Sequence, residues 1–346
     1  MGWCASRMPN VILAGDIGGT KAQLALFEPG ASARAPKFEE RVLTRGSASL
    51  ESLIEPFLAR ARVMPTRMVL GIAGPVAENR CITTNLPWHV DGPAMAERFG
   101  AEVLLLNDLE ATAWGLETLG ERDLLVLQPG ENLRSNRALI AAGTGLGEAL
   151  LPWDGARWHP SPSEGGHTDF GPRDSLEDEL LHWLRAKYGR VSYERVLSGP
   201  GLADLYRFFR ETRRGHEPEE VAMRFDRATE PAAIVTETAI EGSCERARLT
   251  LERFVEIYGA EAGNLALKAL AMGGLFIGGG IAPKVLPFLE RGGFMQGFID
   301  KGRLSPLLTR IPVAVVLDPK TAVWGAATCA LSSTRFHATS SPGGSL

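Results

Sequence analysis

An α/β architecture in two lobes is the fold this sequence predicts, on three observations. Val103-Leu104-Leu105-Leu106 is an apolar run that stops at Asn107-Asp108 and gives way to Glu110-Ala111-Thr112-Ala113-Trp114-Gly115-Leu116, which has the spacing of a short helix. Such a run fits a strand buried on both faces, as in a parallel sheet covered by helices. A unit of strand, glycine turn and strand occurs twice, around residues 15–20 and 143–147, and points to a duplicated lobe plan. The chain's 346 residues also exceed what one hydrophobic core usually organises.

Along the chain, 11–14 reads as a strand, 15–20 as a turn and 22–27 as the hairpin partner. Residues 30–50 are small, polar and charged, the composition of a loop or an exposed edge, and an amphipathic helix is expected from Ser49 through Ala61. A buried strand over 68–73, a loop containing Asn85 and Trp88, and a short helix over 93–99 lead to the strand ending at Asn107. The pattern then restarts with a strand over 138–142, a turn at 143–147 and a strand after it. Ser175-Leu176-Glu177-Asp178 resembles a capping box at the start of a helix. Long helical stretches are expected over 232–258 and 260–271, a strand running into the glycines 278–280, and a late strand over 312–317.

Composition sets bounds on function. With 45% hydrophobic and 23% charged residues the chain is an ordinary globular protein. Lys+Arg 37 against Asp+Glu 41 leaves a net charge of -4, which suggests no nucleic-acid partner. No apolar run is long enough to span a bilayer, so no membrane partner is expected. Cys4, Cys81, Cys244 and Cys329 are widely spaced and form no C-x-x-C pair, so reduced thiols in a cytosolic compartment are the simplest reading.

Three glycine turns, at 15–20, 143–147 and 278–280, each follow a buried strand. Bare N–H groups in such turns suit the phosphates of a nucleotide held between two lobes. The Walker spacing and the G-x-G-x-x-G spacing both fail, the latter because Glu148 stands at the third glycine's place. Asp16 in the first turn is placed to hold Mg²⁺ through water, since Mg²⁺ commonly takes one or two carboxylates plus phosphate oxygens. A second set, Asn85, Asn107, Asp108, Glu164, His167 and Glu194, brings carboxylates, amides and an imidazole without cationic partners, which suits a neutral ligand rich in hydroxyls. Taken singly, Asp108 reads first as a helix N-cap, His167 as a hydrogen-bonded loop residue and Glu194 as a solvated charge at a helix start; the rest of the chain favours the site reading.

The order of Gly15-Asp16-Ile17-Gly18-Gly19-Thr20, Leu106-Asn107-Asp108, Gly143-Thr144-Gly145-Leu146-Gly147, Glu164-Gly165-Gly166-His167, Glu194-Arg195-Val196-Leu197-Ser198-Gly199-Pro200-Gly201 and Gly278-Gly279-Gly280-Ile281-Ala282-Pro283 resembles that of bacterial-type glucokinases. The resemblance covers nearly everything from Asn10 to about Ala330. It implies the sugar kinase, Hsp70 and actin superfamily, with two ribonuclease-H-like lobes and an interlobe cleft. On that plan a small lobe spans 10–118 and is completed by about 312–335, a large lobe spans 119–311, and 1–9 and 336–346 are flexible ends. The resemblance further implies phosphorylation of D-glucose at its 6-hydroxyl by ATP with Mg²⁺, as the first step of glycolysis. Asp108 matches the catalytic base, and Asn107, Glu164, His167 and Glu194 match sugar-contacting positions. Gly15, Asp16, Ile17, Gly18, Gly19 and Thr20 match the segment at the ATP phosphates, with Thr144, Gly145, Gly279 and Gly280 from the later turns. A cytosolic homodimer is implied as well.

Two departures stand out. Lys21 occupies a position where this group often carries Asn, and no cysteine follows the Glu164-Gly165-Gly166-His167 motif between Thr168 and Arg173, so no structural zinc is expected. A kinase of broader hexose range (mannose, glucosamine) is the alternative within catalysis, and a catalytically silent sugar-sensing regulator is the alternative outside it. The intact Asp108 and glycine turns, with no DNA-binding segment ahead of Val11, speak against the regulator.

Overall fold

The computed structural model describes residues 10–83, 86–131 and 133–332. The chain divides into two compact units, one made of the residues up to Arg122 and those from Asp318 onward, the other of Asp123–Leu317.

In the first unit, β1 (Ile12–Ile17) and β2 (Lys21–Phe27) form the expected antiparallel hairpin, and β3 (Phe38–Leu43) continues the sheet as an edge with alternating exposure. The helix α1 (Leu50–Ala61) begins at Ser49, whose hydroxyl accepts from the Ser52 N–H, satisfying one of the orphan donors of the first turn. The strand β4 (Arg67–Ile72) then lies parallel to β1. A small antiparallel sheet of β5 (Val76–Ala77), β6 (Arg80–Ile82) and β7 (His89–Asp91) follows. Next come α2 (Gly92–Phe99), β8 (Glu102–Asn107) and α3 (Asp108–Gly115), with β8 parallel to β4. The main sheet therefore has the order β3-β2-β1-β4-β8.

The second unit opens with β9 (Leu124–Gln128) and repeats the plan: β10 (Arg137–Ala142), β11 (Leu146–Leu151) and β12 (Ser161–Ser163) are antiparallel neighbours. Five helices follow: α4 (Ser175–Tyr188), α5 (Gly199–Glu211), α6 (Glu219–Arg227), α7 (Pro231–Glu241) and α8 (Glu245–Ala269). Strand β13 (Leu275–Gly278) is parallel to β10. The short helices α9 (Leu286–Glu290), α10 (Gly293–Ile299) and α11 (Ser305–Leu308) lead to β14 (Val313–Val316), parallel to β13. The sheet order β12-β11-β10-β13-β14-β9 matches that of the first unit strand for strand, with β9 added antiparallel at the edge. Both sheets are thus ribonuclease-H-like. After Leu317 the chain returns to the first unit as α12 (Thr321–Leu331).

Several expectations are corrected. The strand at 313–316 hydrogen-bonds to β13 and β9 and so belongs to the second unit, not to the first, which the chain rejoins only at Asp318. Residues 119–122 likewise fall in the first unit. The cap of α4 is Asp174, whose carboxylate accepts from the Glu177 N–H at 2.9 Å, so Ser175 is already helical. The helical stretch from 232 breaks at Gly242, a left-handed cap with φ 73, and not at Gly259. Gly259 stays inside α8 because a Cβ there would strike the Phe294 carbonyl of α10; the glycine serves close helix packing rather than a turn.

The same device holds α12 against α3. A Cβ on Gly325 would collide with the Ala111 carbonyl, and one on Gly115 with the Thr321 carbonyl. The two helices pack over the sheet face that carries Ile12, Ala14, Val69 and Leu106. Gly325→Ala should therefore part the helices and destabilise the protein by about 1–3 kcal/mol, as overpacking of a filled core does, read as a lower urea midpoint. An unaltered midpoint would show that α12 moves aside without cost.

Candidate functional site

In the first unit the site residues gather where β1, β4 and β8 end, at the carboxyl edge where open α/β sheets place ligands. Register sets Asp16 of β1 beside Gly71 of β4, and Gly71 beside Leu106 of β8. Gly71 leaves that face of the middle strand bare. A Cβ there would lie 2.7 Å from the Ala111 Cβ and 3.9 Å from the Asp108 Cα, so α3 lies down on the sheet only because this residue has no side chain. The bare position also lets Asp108 act on Asp16. Burial, and next the negative charge of Asp108, push the Asp16 carboxyl up to about 7.

Asn107 is the N-cap of α3. Its side-chain oxygen accepts from the Leu109 N–H at 2.9 Å, and its amide nitrogen donates to the Gly74 carbonyl at 3.1 Å, tying the strand end to the chain leaving β4. Asp108 is the first helical residue; its Oδ1 also accepts from Leu109 at 2.9 Å, so capping and an acid role coexist in one half-buried side chain. The Cys81 thiol of β6 is raised by burial and by the same Asp108 charge. Asn85 lies outside the described residues.

The turn from β1 to β2 uses the Gly18 N–H internally, donating to the Lys21 carbonyl at 3.0 Å. In this structure that N–H is used to close the turn. Among the described residues the N–H groups of Gly19 and Thr20 have no protein acceptor. Lys21 is exposed at the start of β2. Asp16 suits Mg²⁺ chemically: two acids face one another there, and burial holds Asp16 near its titration midpoint at neutral pH, a charge conflict that a divalent cation relieves. Among the described residues no group of three or more His, Cys, Asp or Glu could hold a metal, so the remaining ligands would be phosphate oxygens and water.

In the second unit the other two glycine turns meet. The Ile281 N–H donates to the Ala142 carbonyl at 3.2 Å, folding residues 279–281 over the end of β10. Gly279 has φ 84, and a Cβ there would collide with that carbonyl, so only glycine fits. The Gly199 N–H at the start of α5 donates to the Gly143 carbonyl at 2.9 Å, bringing a helix N-terminus to the same edge. Among the described residues the N–H groups of Thr144, Gly145, Gly279 and Gly280 have no protein acceptor.

Beside this edge lie Glu164, His167 and Glu194. Glu194 is not a solvated charge: its Oε2 accepts from the Leu146 N–H at 3.1 Å, and its Oε1 lies 3.8 Å from His167 Nδ1. The Glu164 carboxylate lies 3.8 Å from His167 Nε2. The imidazole thus sits between two carboxylates, with Glu164 the most exposed of the three at 71% and His167 at 55%. Such a set accepts and donates to hydroxyls in alternation. Sequence reading missed Gly71 and Glu148. A lone glycine inside an apolar strand, and a lone carboxylate inside another, are the signals that mark them.

The mutual influence of the two acids is measurable. Without nucleotide or cation, the carboxyl ¹³C resonance of Asp16 should titrate with a midpoint of about 7, and Asp108→Asn should lower that midpoint by removing a negative neighbour. Stability contributed by neutral Asp16 is complete below its ordinary range near 3.8 and is lost as pH rises through about 7. An unmoved midpoint in the variant would place the acids outside each other's field.

Comparison with known proteins identifies the family. The family model described as Glucokinase matches residues 13–333. A glucokinase of Trichormus variabilis is 40% identical over 93% of this chain and 99% of its own length. One of a Synechocystis species is 41% identical over 93% and 98%. Among solved structures, glucokinase from an Antarctic psychrotroph superposes with a TM-score of 0.80 at 31% identity, covering 93% of this chain and 99% of that one. The chain belongs to the glucokinase family.

Proposed function

We propose that this protein transfers the γ-phosphoryl group of ATP to the 6-hydroxyl of D-glucose, with Asp108 as general base. The observation that carries the reading is the placement of Asp108 at a helix start on the sheet edge, half-buried and within the field of Asp16. Asp108 takes the proton of the 6-hydroxyl as that oxygen forms its bond to the γ-phosphorus and the bond to the ADP oxygen breaks. Asn107, Glu164, His167 and Glu194 hold the other hydroxyls and fix the attacking one, which matters because phosphoryl transfer depends on alignment and charge neutralisation more than on covalent chemistry. Asn85, one of the polar-loop residues singled out in the sequence, joins this set.

The N–H groups of Gly19, Thr20, Thr144, Gly145, Gly279 and Gly280 serve the donor's phosphates, supported by the absence of any protein acceptor for them among the described residues. When bound with ATP, Mg²⁺ supplies further neutralisation of the phosphate charge, and Asp16 would hold it through water. Glucose as the sugar is supported by the family and by relatives named for it. The resemblance also carries a cytosolic homodimer; no helix among the described residues is long and apolar enough to cross a membrane.

A coupled assay with ATP, Mg²⁺ and glucose, repeated with mannose, glucosamine and other donors, tests the reading. Asp108→Asn should lower turnover by roughly 10²–10⁴, the usual contribution of a general base, while calorimetry still detects glucose binding. Near-normal turnover in that variant defeats the assignment of the base.

A further inference from the structure

The loop that carries Glu164 and His167 rests on two buried acids that the reaction does not use. Glu148 lies in β11, paired across to Ile140 and to Ser163, and is 1% exposed. Glu261 in α8 is 0% exposed. The two carboxyls lie within each other's hydrogen-bonding reach, and Oε1 of each is buried without a hydrogen-bond partner among the described residues. Two carboxylates cannot bond to one another without a proton, and two buried negative charges side by side are strongly disfavoured.

The pair touches the loop directly. A Cβ on Gly165 would collide with Glu148 Oε2, and one on Gly166 with the Leu146 carbonyl, so the turn at 165–167 is seated on the Glu148 carboxyl and on the β11 backbone. On the other side, Glu261 Oε2 accepts from Asn264 Nδ2 at 2.7 Å, and the same nitrogen donates to the Tyr193 hydroxyl at 3.1 Å. Tyr193 adjoins Glu194. The pair is therefore linked through Asn264 to Tyr193, the neighbour of Glu194, and through Gly165 to the loop of Glu164 and His167.

We propose that Glu148 and Glu261 share a single proton, and that Glu148 in this protonated pair is a positioning residue that holds the Glu164–His167 loop and the Glu194 turn in the geometry that binds sugar. The inference rests on the sugar-kinase reading. Loss of the shared proton sets two charges in contact under Gly165 and drives Glu148 away from the floor of the loop. The charged and titratable groups facing the pair are Lys268 and Tyr258 on α8, Lys301 after α10, Tyr193 and Glu194 on the turn before α5, and Glu164 and His167 on the loop itself. Lys268 Nζ stands 3.6 Å from Glu261 Oε1 and opposes the repulsion without removing it. Burial first, then Glu261, push the Glu148 carboxyl up to about 8, so the proton is held at neutral pH and lost in mild alkali.

Calorimetric titration of glucose without donor at pH 7, 8 and 9 tests this on wild type and Glu148→Gln, in buffers of differing ionisation enthalpy. Gln keeps the shape and a donor toward Glu261 but has no proton to lose. Wild-type affinity should fall about tenfold from pH 7 to 9, as the competent fraction shrinks, with proton uptake on binding at pH 8 and 9. Glu148→Gln should bind with one affinity across that range and take up no proton through this group. Parallel pH curves for the two proteins, or a folded Glu148→Gln protein with no glucose affinity at pH 7, overturn the inference and leave the sugar reading intact. Wild-type protein that binds no glucose at any pH would sink both.

Discussion

The first unit depends on an absence: Gly71 presents no side chain at the centre of its sheet. With Asp16 on one neighbouring strand and Leu106 on the other, that gap is the place where α3 touches the sheet through Ala111. A single methyl would lift the helix and carry Asp108 away from Asp16. The second support comes from behind, where Gly325 and Gly115 let α12 reach the backbone of α3. A half-buried acid is thus held by three glycines, two of them, Gly71 and Gly325, distant from it in the chain. Interiors packed to this density leave no slack for a helix to settle slightly elsewhere.

The second unit solves a parallel problem by similar means. Its turn at 279–280 folds back on the end of β10, where Gly279 meets the Ala142 carbonyl too closely for a side chain, and at Gly145 the Glu194 carboxylate fills the space a side chain would take. Its polar loop is seated on Glu148 and Leu146 through Gly165 and Gly166. The buried acid pair beneath it costs more than an apolar floor would. What that pair contributes is a fixed direction: a hydrogen bond between carboxyls orients Glu148 where a leucine in the same space would be free to choose a rotamer.

Both units set two acids side by side where burial disfavours charge. Asp16 is driven toward neutrality by burial and by Asp108, and Glu148 by burial and by Glu261. In the first case the conflict lies at a sheet edge open to a cation. In the second it is sealed beneath a loop, with Lys268 as the nearest charge of opposite sign. A pair of carboxyls therefore serves ligand chemistry in one place and loop geometry in the other, according to what can reach it.

The strands, their glycine turns and the doubling of the plan are legible along the chain, because apolar runs of strand length ending in Asp16, Asn107 or Gly143 are local signals. The sequence also showed Asp108, Glu164, His167 and Glu194 as polar residues at loop positions. Only the tertiary structure decided that Val313–Val316 joins the second sheet, that Gly18 spends its N–H inside its own turn, and that Glu194 caps Leu146 rather than facing water. The same holds for Gly71 and for the contact between Glu148 and Glu261, residues 113 positions apart in the chain. Periodicity and turn chemistry act over a few residues and are written in the order of the chain. Strand partners, close approaches through glycine and the sharing of a buried proton depend on which distant segments come to lie together, and that follows from packing alone.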